Sequence, residues 1–332
     1  MSKYSVIIPV YNRPEELEDM LQSLEKQTMK DFEVIVVEDG STRKSDEVVA
    51  SFEDKLDIKY YSQSNTGPGP ARNAGCNQAT SDYFIFFDSD CFLPEKYFQK
   101  LDEYMDLISF PAFGGPDKDD ASFTKIQQAI NYSMTSFFTT GGIRGSKKSL
   151  EKFNPRSFNM GISRDVYEAT GGFSTMRFGE DIDLSLRIKK EGFGTALLSD
   201  CYVYHKRRVS FLKFFKQVFN SGIARINLYK RHPMSLRPIH FFPTVFTLYL
   251  IFGTAHALYH HQWWVMYPML LYFLILWFDA SIKTSSIITG LLSVFATILQ
   301  LAGYGLGFMK GIWRRIILGR GEFYDFKKNF YS

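Results

Sequence analysis

Cysteine is scarce: Cys76, Cys91 and Cys201 are the only three in 332 residues. An odd, widely spaced set fits neither a disulfide framework nor a zinc site, so all three read as reduced structural residues. Charge is missing in a more telling way. Residues 238–278 contain no Asp, Glu, Lys or Arg, and neither do residues 284–309. A membrane span takes about 20 residues, so each run can hold one and the first has room for two. Acid alone is absent from residues 205–237, which carry nine Lys or Arg. A purely basic stretch beside apolar runs suits a juxtamembrane segment facing anionic lipid headgroups. Nucleic acid is the other partner of a basic patch, but no nucleic-acid motif accompanies this one. Residues 1–12 lack the charged leader, apolar core and small-residue cleavage site of a secretory signal, so the charged part of the chain is expected in the cytosol. There is no internal repeat and no low-complexity tract.

What is present is an alternation of strands and helices. Ser5 to Val10 reads as a short buried strand, with Pro14 suited to the first position of a following helix. Leu17, Met20, Leu21 and Leu24 give that helix its apolar face. Phe32 to Val37 is a second strand running into Glu38 and Asp39, and Ile58 to Tyr61 a third. Helices are expected from Ser45 to Phe52 and from Ala71 to Ala79. Tyr83 to Phe87, aromatic and β-branched throughout, is a buried strand. This order predicts an α/β fold with a mostly parallel central sheet and helices on both faces. Further on, a helix is expected from Ile126 to Phe138, an ordered patch from Asn159, a helix after Gly179 and a last strand from Cys201 to His205. Residues 210–231 interleave apolar and basic residues as an amphipathic helix suited to a membrane interface.

The strand ending at Phe87 runs directly into Asp88 and Asp90. Ligands of parallel α/β sheets sit outside the carboxyl ends of the strands. Two carboxylates one residue apart are well placed there to hold Mg²⁺ or Mn²⁺ against substrate phosphates. The same pair would also serve as solvated turn residues before the helix that Pro94 opens.

The neighbouring blocks distinguish these readings. Ser5-Val-Ile-Ile-Pro-Val-Tyr-Asn12, Val37-Glu-Asp-Gly-Ser-Thr42, Gly69-Pro-Ala-Arg-Asn-Ala-Gly75, Phe87-Asp-Ser-Asp90, Phe158-Asn-Met-Gly-Ile-Ser-Arg164, Gly171-Gly-Phe173 and Gly179-Glu-Asp-Ile-Asp-Leu184 follow one another in that order. In this the chain resembles family 2 glycosyltransferases of the GT-A fold, over residues 4 to about 208. Glu38 stands where the family more usually has Asp. The Gln-x-x-Arg-Trp block of processive synthases is absent, which argues for adding one or a few sugars.

The resemblance implies an inverting, metal-dependent transfer from a nucleotide-sugar donor, UDP-sugar favoured, to a lipid-linked or glycan acceptor. That is the chemistry of cell-envelope polysaccharide biosynthesis in membrane-anchored bacterial members. By the same resemblance Asp90 is the metal ligand, and Asp88 binds the ribose or shares the metal. Asp39 accepts from the nucleobase with Tyr11 packed nearby, and Pro9 and Arg72 complete the donor side. Asp181 is the catalytic base. Asn159, Arg164 and Glu180 lie on the acceptor side or anchor loops, and Asp183 stabilises a helix N-terminus. His205 is either a third metal ligand or a structural residue. A polyprenyl-phosphate monosaccharide synthase shares this chemistry, and a non-catalytic nucleotide-binding membrane scaffold is the rival from another class. A pyrophosphorylase needs a triphosphate loop, for which residues 10–14 offer only Arg13.

The expected organisation is a GT-A catalytic domain at 1–208, a basic interfacial segment at 209–237, apolar membrane helices at 238–309 and a basic cytosolic tail at 310–332. This makes a multi-pass protein of the cytoplasmic (inner) membrane with its catalytic domain in the cytosol. Basic flanks at both ends of the apolar region require an even number of crossings. Three spans can nevertheless be drawn, near 241–259, 262–281 and 285–309, so one is expected to be interfacial or re-entrant. The first, with Pro243 and His256, is the candidate.

Overall fold

The computed structural model describes residues 2–118, 123–141, 153–205 and 210–326. The chain forms two compact units, one made of Met1–Asp120 with Ile143–Lys206 and the other of Ala121–Gly142 with Arg207–Phe330. The expected GT-A domain at 1–208 therefore lacks one insert, Ala121–Gly142, which clusters with the C-terminal helices.

The first unit contains β1 (Tyr4–Val10), α1 (Pro14–Glu25), β2 (Phe32–Asp39), α2 (Asp46–Ala50), β3 (Ile58–Gln63), α3 (Pro68–Gln78), β4 (Tyr83–Phe87), β5 (Cys91–Phe92), α4 (Tyr97–Leu107), β6 (Ala112–Gly114) and β7 (Asp117–Lys118). After the insert, which carries α5 (Lys125–Thr135) and α6 (Phe137–Thr140), come β8 (Asn159–Ser163), α7 (Arg164–Thr170), α8 (Glu180–Lys190), β9 (Thr195–Leu197) and β10 (Val203–His205). A seven-stranded sheet has the order β3-β2-β1-β4-β8-β6-β9, and a small second sheet the order β5-β10-β7. In the large sheet only the pairs that β8 makes with β4 and β6 are antiparallel. The mostly parallel sheet is thus as expected.

Its central strands are apolar on both faces because both are covered. Val6, Ile8 and Val10 of β1 pack with Leu17, Met20 and Leu21 of α1 and Phe98 of α4. Ile7 faces the other layer, with Ala71 and Cys76 of α3 and Leu184 of α8. Strand order runs outward from β1 to β2 and β3, then returns to place β4 on the other side of β1. Such a reversal opens a crevice at the carboxyl ends of the strands. The residues there are Tyr11–Arg13 after β1, Asp39 ending β2, and Asp88–Asp90 after β4.

Local boundaries differ from the sequence expectation for identifiable reasons. Helix α3 starts at Pro68 rather than Ala71, because Asp39 accepts a hydrogen bond from the backbone N–H of Gly67 at 2.8 Å and caps it from a distant strand. Helix α4 starts at Tyr97, three residues beyond Pro94. The helix expected from Ile126 to Phe138 breaks at Ser136, whose extended backbone ends α5 and whose side chain caps α6.

The second unit is helical: α5 and α6, then α9 (Phe211–Arg231), α10 (Phe242–His260), α11 (Tyr267–Thr284) and α12 (Ile287–Gly311). Three stretches, Pro238–His260, Trp263–Thr284 and Ile287–Ile317, are long and apolar enough to cross a membrane. Helix α12 is central, packing against α5, α9, α10 and α11. Its contact with α9 is backbone to backbone. A Cβ on Gly307 would fall 1.9 Å from the Phe219 carbonyl oxygen, and one on Gly222 2.2 Å from that of Tyr304. The amphipathic pattern of 210–231 thus forms a helix whose apolar face, including Phe214, Val218 and Ile223, is buried within this unit. Helix α5 is tied to α11 by the Tyr132 hydroxyl, which donates to Asp279 at 2.6 Å, while Lys283 pairs with the same carboxylate at 2.8 Å.

Candidate active site

Two groups of charged side chains form at the carboxyl edge of the large sheet. The first is built on Arg72. Helix α3 lies so close on β1 that a Cβ at Gly75 would meet the Ile7 side chain at 2.5 Å. That approach carries Arg72, on the second turn of α3, into the interior. It is only 2% exposed, not the surface ion-pair residue that its sequence context allows. Its guanidinium reaches Asp88 at 2.5 Å and Glu180 at 3.0 Å. Burial alone would pull the Arg72 pKa down; the two facing carboxylates more than offset this and raise it. The Glu180 carboxyl is pushed up to about 7, first by burial and then by the charge of Asp181. Asp181, beside it in the first turn of α8, accepts from the backbone N–H of Ile182 at 2.7 Å and faces Arg156 at 3.5 Å.

The second group is built on Asp90. One carboxylate oxygen accepts from Arg13 at 2.6 Å, and the other lies 3.2 Å from His205 Nε2. An oxygen of Asp90, the sulfur of Cys91 and an imidazole nitrogen of His205 lie within 4.8 Å of one another. Strand β10 brings His205 here by pairing it with Cys91 of β5. Carboxylate and imidazole together suit Mn²⁺, with phosphate oxygens left to fill the remaining positions; the thiol suits softer ions. The donor set therefore fits a divalent cation at Asp90 and His205. Asp88, turned towards Arg72, is not one of the three.

Around these groups the crevice is held by a network of hydrogen bonds to Asp39, Asn12 and Glu38. Asp39 is buried and already accepts from the Gln63 amide, the backbone and hydroxyl of Thr66, and the backbone of Gly67. The Asn12 side-chain oxygen accepts from the backbone N–H groups of Thr42 and Arg43 at 2.8 and 3.0 Å, tying the turn after β1 to the loop after β2. Glu38 accepts from Ser41, the Ser45 backbone and Tyr60, and so shapes that same loop. Pro9, in β1, pairs with Val37 of β2, and Tyr11 follows at the strand end.

Asn159 is fully enclosed, accepting from the Tyr97 hydroxyl at 2.6 Å and donating to the Cys201 carbonyl at 2.8 Å. Arg164 is not brought to this edge. Strand β8 runs antiparallel to β4, so Asn159 opposes Phe87 while Ser163 opposes Tyr83. Arg164 donates to the carbonyls of Ala79 and Ser81 at 3.1 and 2.7 Å, which anchors the loop ahead of β4. Asp183 pairs with Arg187 one turn along α8.

Sequence reasoning did not single out Arg13 as Asp90's partner, nor Arg156 as Asp181's. Arg13 lies in the turn after a strand end, a position that could have marked it. Arg156 lies in no recognisable element.

A family model described as glycosyl transferase family 2 matches residues 5–171, half of the chain. The chain belongs to that family. Its curated relatives in the family include glycosyltransferase GlyA of Streptococcus pneumoniae, 38% identical over 112 residues, or 33% of this chain and 16% of GlyA. Another is the poly(ribitol-phosphate) β-N-acetylglucosaminyltransferase TarS of Staphylococcus aureus, 36% identical over 111 residues, 32% of this chain and 19% of TarS. This family 2 chain therefore matches less than a quarter of these relatives' own length. Among solved structures, the mannosyltransferase PcManGT of Pyrobaculum calidifontis, in complex with GDP-Man and Mn²⁺, superposes with a TM-score of 0.59 at 15% identity. That match covers 94% of this chain and 88% of the other. Residues 1–349 of S. aureus TarS give a TM-score of 0.51 at 19% identity, covering 96% and 92%. At these identities the likeness is one of fold.

Proposed function

We propose that the protein is an inverting glycosyltransferase that moves a sugar from a nucleotide-sugar donor, UDP-sugar favoured, to a lipid-linked or glycan acceptor at the cytosolic membrane face. The observation that carries this reading is the convergence of Asp88, Arg72, Glu180 and Asp181 with the Asp90–His205 pair at one sheet edge. Transfer needs charge neutralised on a departing diphosphate and a base for the incoming hydroxyl, and these groups offer both. A divalent cation held by Asp90 and His205 would supply Lewis acidity at the diphosphate. Asp39 accepts from the nucleobase, with Tyr11 packed nearby. Asp88, held by Arg72, receives the ribose. Asp181 takes the proton from the acceptor hydroxyl as its oxygen attacks the anomeric carbon on the face opposite the diphosphate. Arg72 and Glu180 keep Asp88 and Asp181 at a fixed spacing, so the donor and base sides are set together.

Three apolar helices favour an acceptor that is itself in the bilayer, such as a polyprenyl-linked glycan, and the basic face of α9 suits anionic lipid. The test is to incubate the full-length protein in detergent with Mn²⁺ and a panel of sugar nucleotides, then follow nucleotide release with and without polyprenyl-linked acceptors. Release from one donor, lost in EDTA and in Asp90→Asn, is expected. Undiminished turnover in EDTA would refute the metal-dependent mechanism, and no release from any donor would favour a non-catalytic nucleotide-binding role.

A further inference from the structure

We propose that Arg13 is a tethered counter-cation which makes metal binding at Asp90 conditional on the arrival of a diphosphate. The turn that carries Arg13 is fixed. Asn12 adopts a left-handed backbone with φ of 55°, and its backbone N–H donates to Ser41 Oγ at 2.7 Å. Arg13 then forms the N-cap of α1. From there its guanidinium reaches Asp90 at 2.6 Å, with the two side chains only 17% and 12% exposed. A partly desolvated pair of this kind is far less screened than one in open solvent.

Asp90 therefore already faces a cation. A divalent ion held by Asp90 and His205 would meet the positive charge of Arg13, and the guanidinium would leave the carboxylate. The displaced guanidinium stays within reach of the crevice because Asn12 and Pro14 hold its backbone. A nucleoside diphosphate offers it replacement oxygens in the bidentate geometry that guanidinium favours. The pair thus exchanges partners: Asp90 passes from Arg13 to the metal, and Arg13 passes from Asp90 to phosphate. Metal and diphosphate each strengthen the other's binding, and by linkage the effect is equal in both directions. This rests on the proposed metal site at Asp90 and adds a role for a residue outside it.

The experiment is calorimetric titration of the full-length protein in detergent with Mn²⁺, alone and in the presence of UDP. It compares wild type with Arg13→Gln, Arg13→Lys and Asp90→Asn. Wild type should bind Mn²⁺ roughly tenfold more tightly with UDP present, within the usual range of coupling between sites. Arg13→Gln should bind Mn²⁺ alone several-fold more tightly than wild type and lose most of the coupling, while Arg13→Lys keeps the wild-type affinity for Mn²⁺ alone and part of the coupling, lacking the bidentate fork. If Asp90→Asn abolishes Mn²⁺ binding but Arg13→Gln leaves affinity and coupling unchanged, the role of Arg13 is overturned and the metal site stands. If Asp90→Asn binds Mn²⁺ as wild type does, the metal site itself is wrong and this proposal fails with it.

Discussion

Replacing Arg72 with Met keeps the buried aliphatic stem and removes only the guanidinium, leaving Asp88 and Glu180 facing each other across an apolar gap. Breaking a buried pair by deleting one partner costs about 3–5 kcal/mol. The lower end applies here for two structural reasons. The Asp88 side chain is 31% exposed and can be solvated, and Glu180 can take up a proton. At about 3 kcal/mol, and roughly 2–4 °C of Tm per kcal/mol for a unit of this size, melting should fall by roughly 6–12 °C. The pH dependence has a definite sign. The folded-state pKa of Glu180, about 7, lies above the ordinary 4.5. Its contribution to stability is therefore complete below about 4.5 and is lost as pH rises through about 7. Without Arg72 that folded pKa climbs further, so the variant should be more deficient at pH 8 than at pH 6. The assay must report on the sheet unit alone. All four Trp residues, at 263, 264, 277 and 313, lie in the helical unit. Cys76, Cys91 and Cys201 are all buried in the sheet unit, so thermal exposure of thiols to a fluorogenic maleimide follows it selectively. A variant within 2 °C of wild type at both pH values would refute the account of Arg72 as the charge that holds this site together.

Three further outcomes are expected. Asp181→Asn should reduce sugar transfer by about 10²–10⁴-fold, the usual contribution of a general base, with donor affinity within a few-fold of wild type by calorimetry; a loss of donor binding as severe as that in Asp90→Asn would exclude the role. Gly307→Ala should destabilise the helical unit by about 3 kcal/mol in Trp-monitored melts, the upper end for overpacking. Gly303→Ala should cost visibly less, because its Cβ would meet side chains that can move rather than a carbonyl. A reporter active only outside the cytosol, fused after Ser332, should stay silent if the apolar region makes two crossings; activity would mean three and would overturn the charge-parity argument.

The fold was legible where burial is two-sided and local. β1, β2 and β4 announce themselves by their apolar runs at residues 6–10, 34–37 and 83–87, and α1 by Pro14 and its regular apolar spacing. The acids at the ends of β2 and β4 were also legible, because a parallel sheet places its strand ends together. What escaped was set by contacts distant in sequence. Asp39 caps α3 from 28 residues away, so the helix was expected only from Ala71 rather than from Pro68. β6 and β7 are too short to show a period and exist through β8, β9 and β10. The attachment of α5 to the apolar helices depends on Tyr132 meeting Asp279, 147 residues later. The burial of Arg72 between Asp88 and Glu180 was not legible, because nothing in its neighbours reveals the closeness of α3 to β1.

The backbone contact between Gly222 on α9 and Gly307 on α12 has a mechanical consequence. Side chains that interlock can slide by changing rotamer, but main chain on main chain offers no such slack, so the two helices translate as one stiff body.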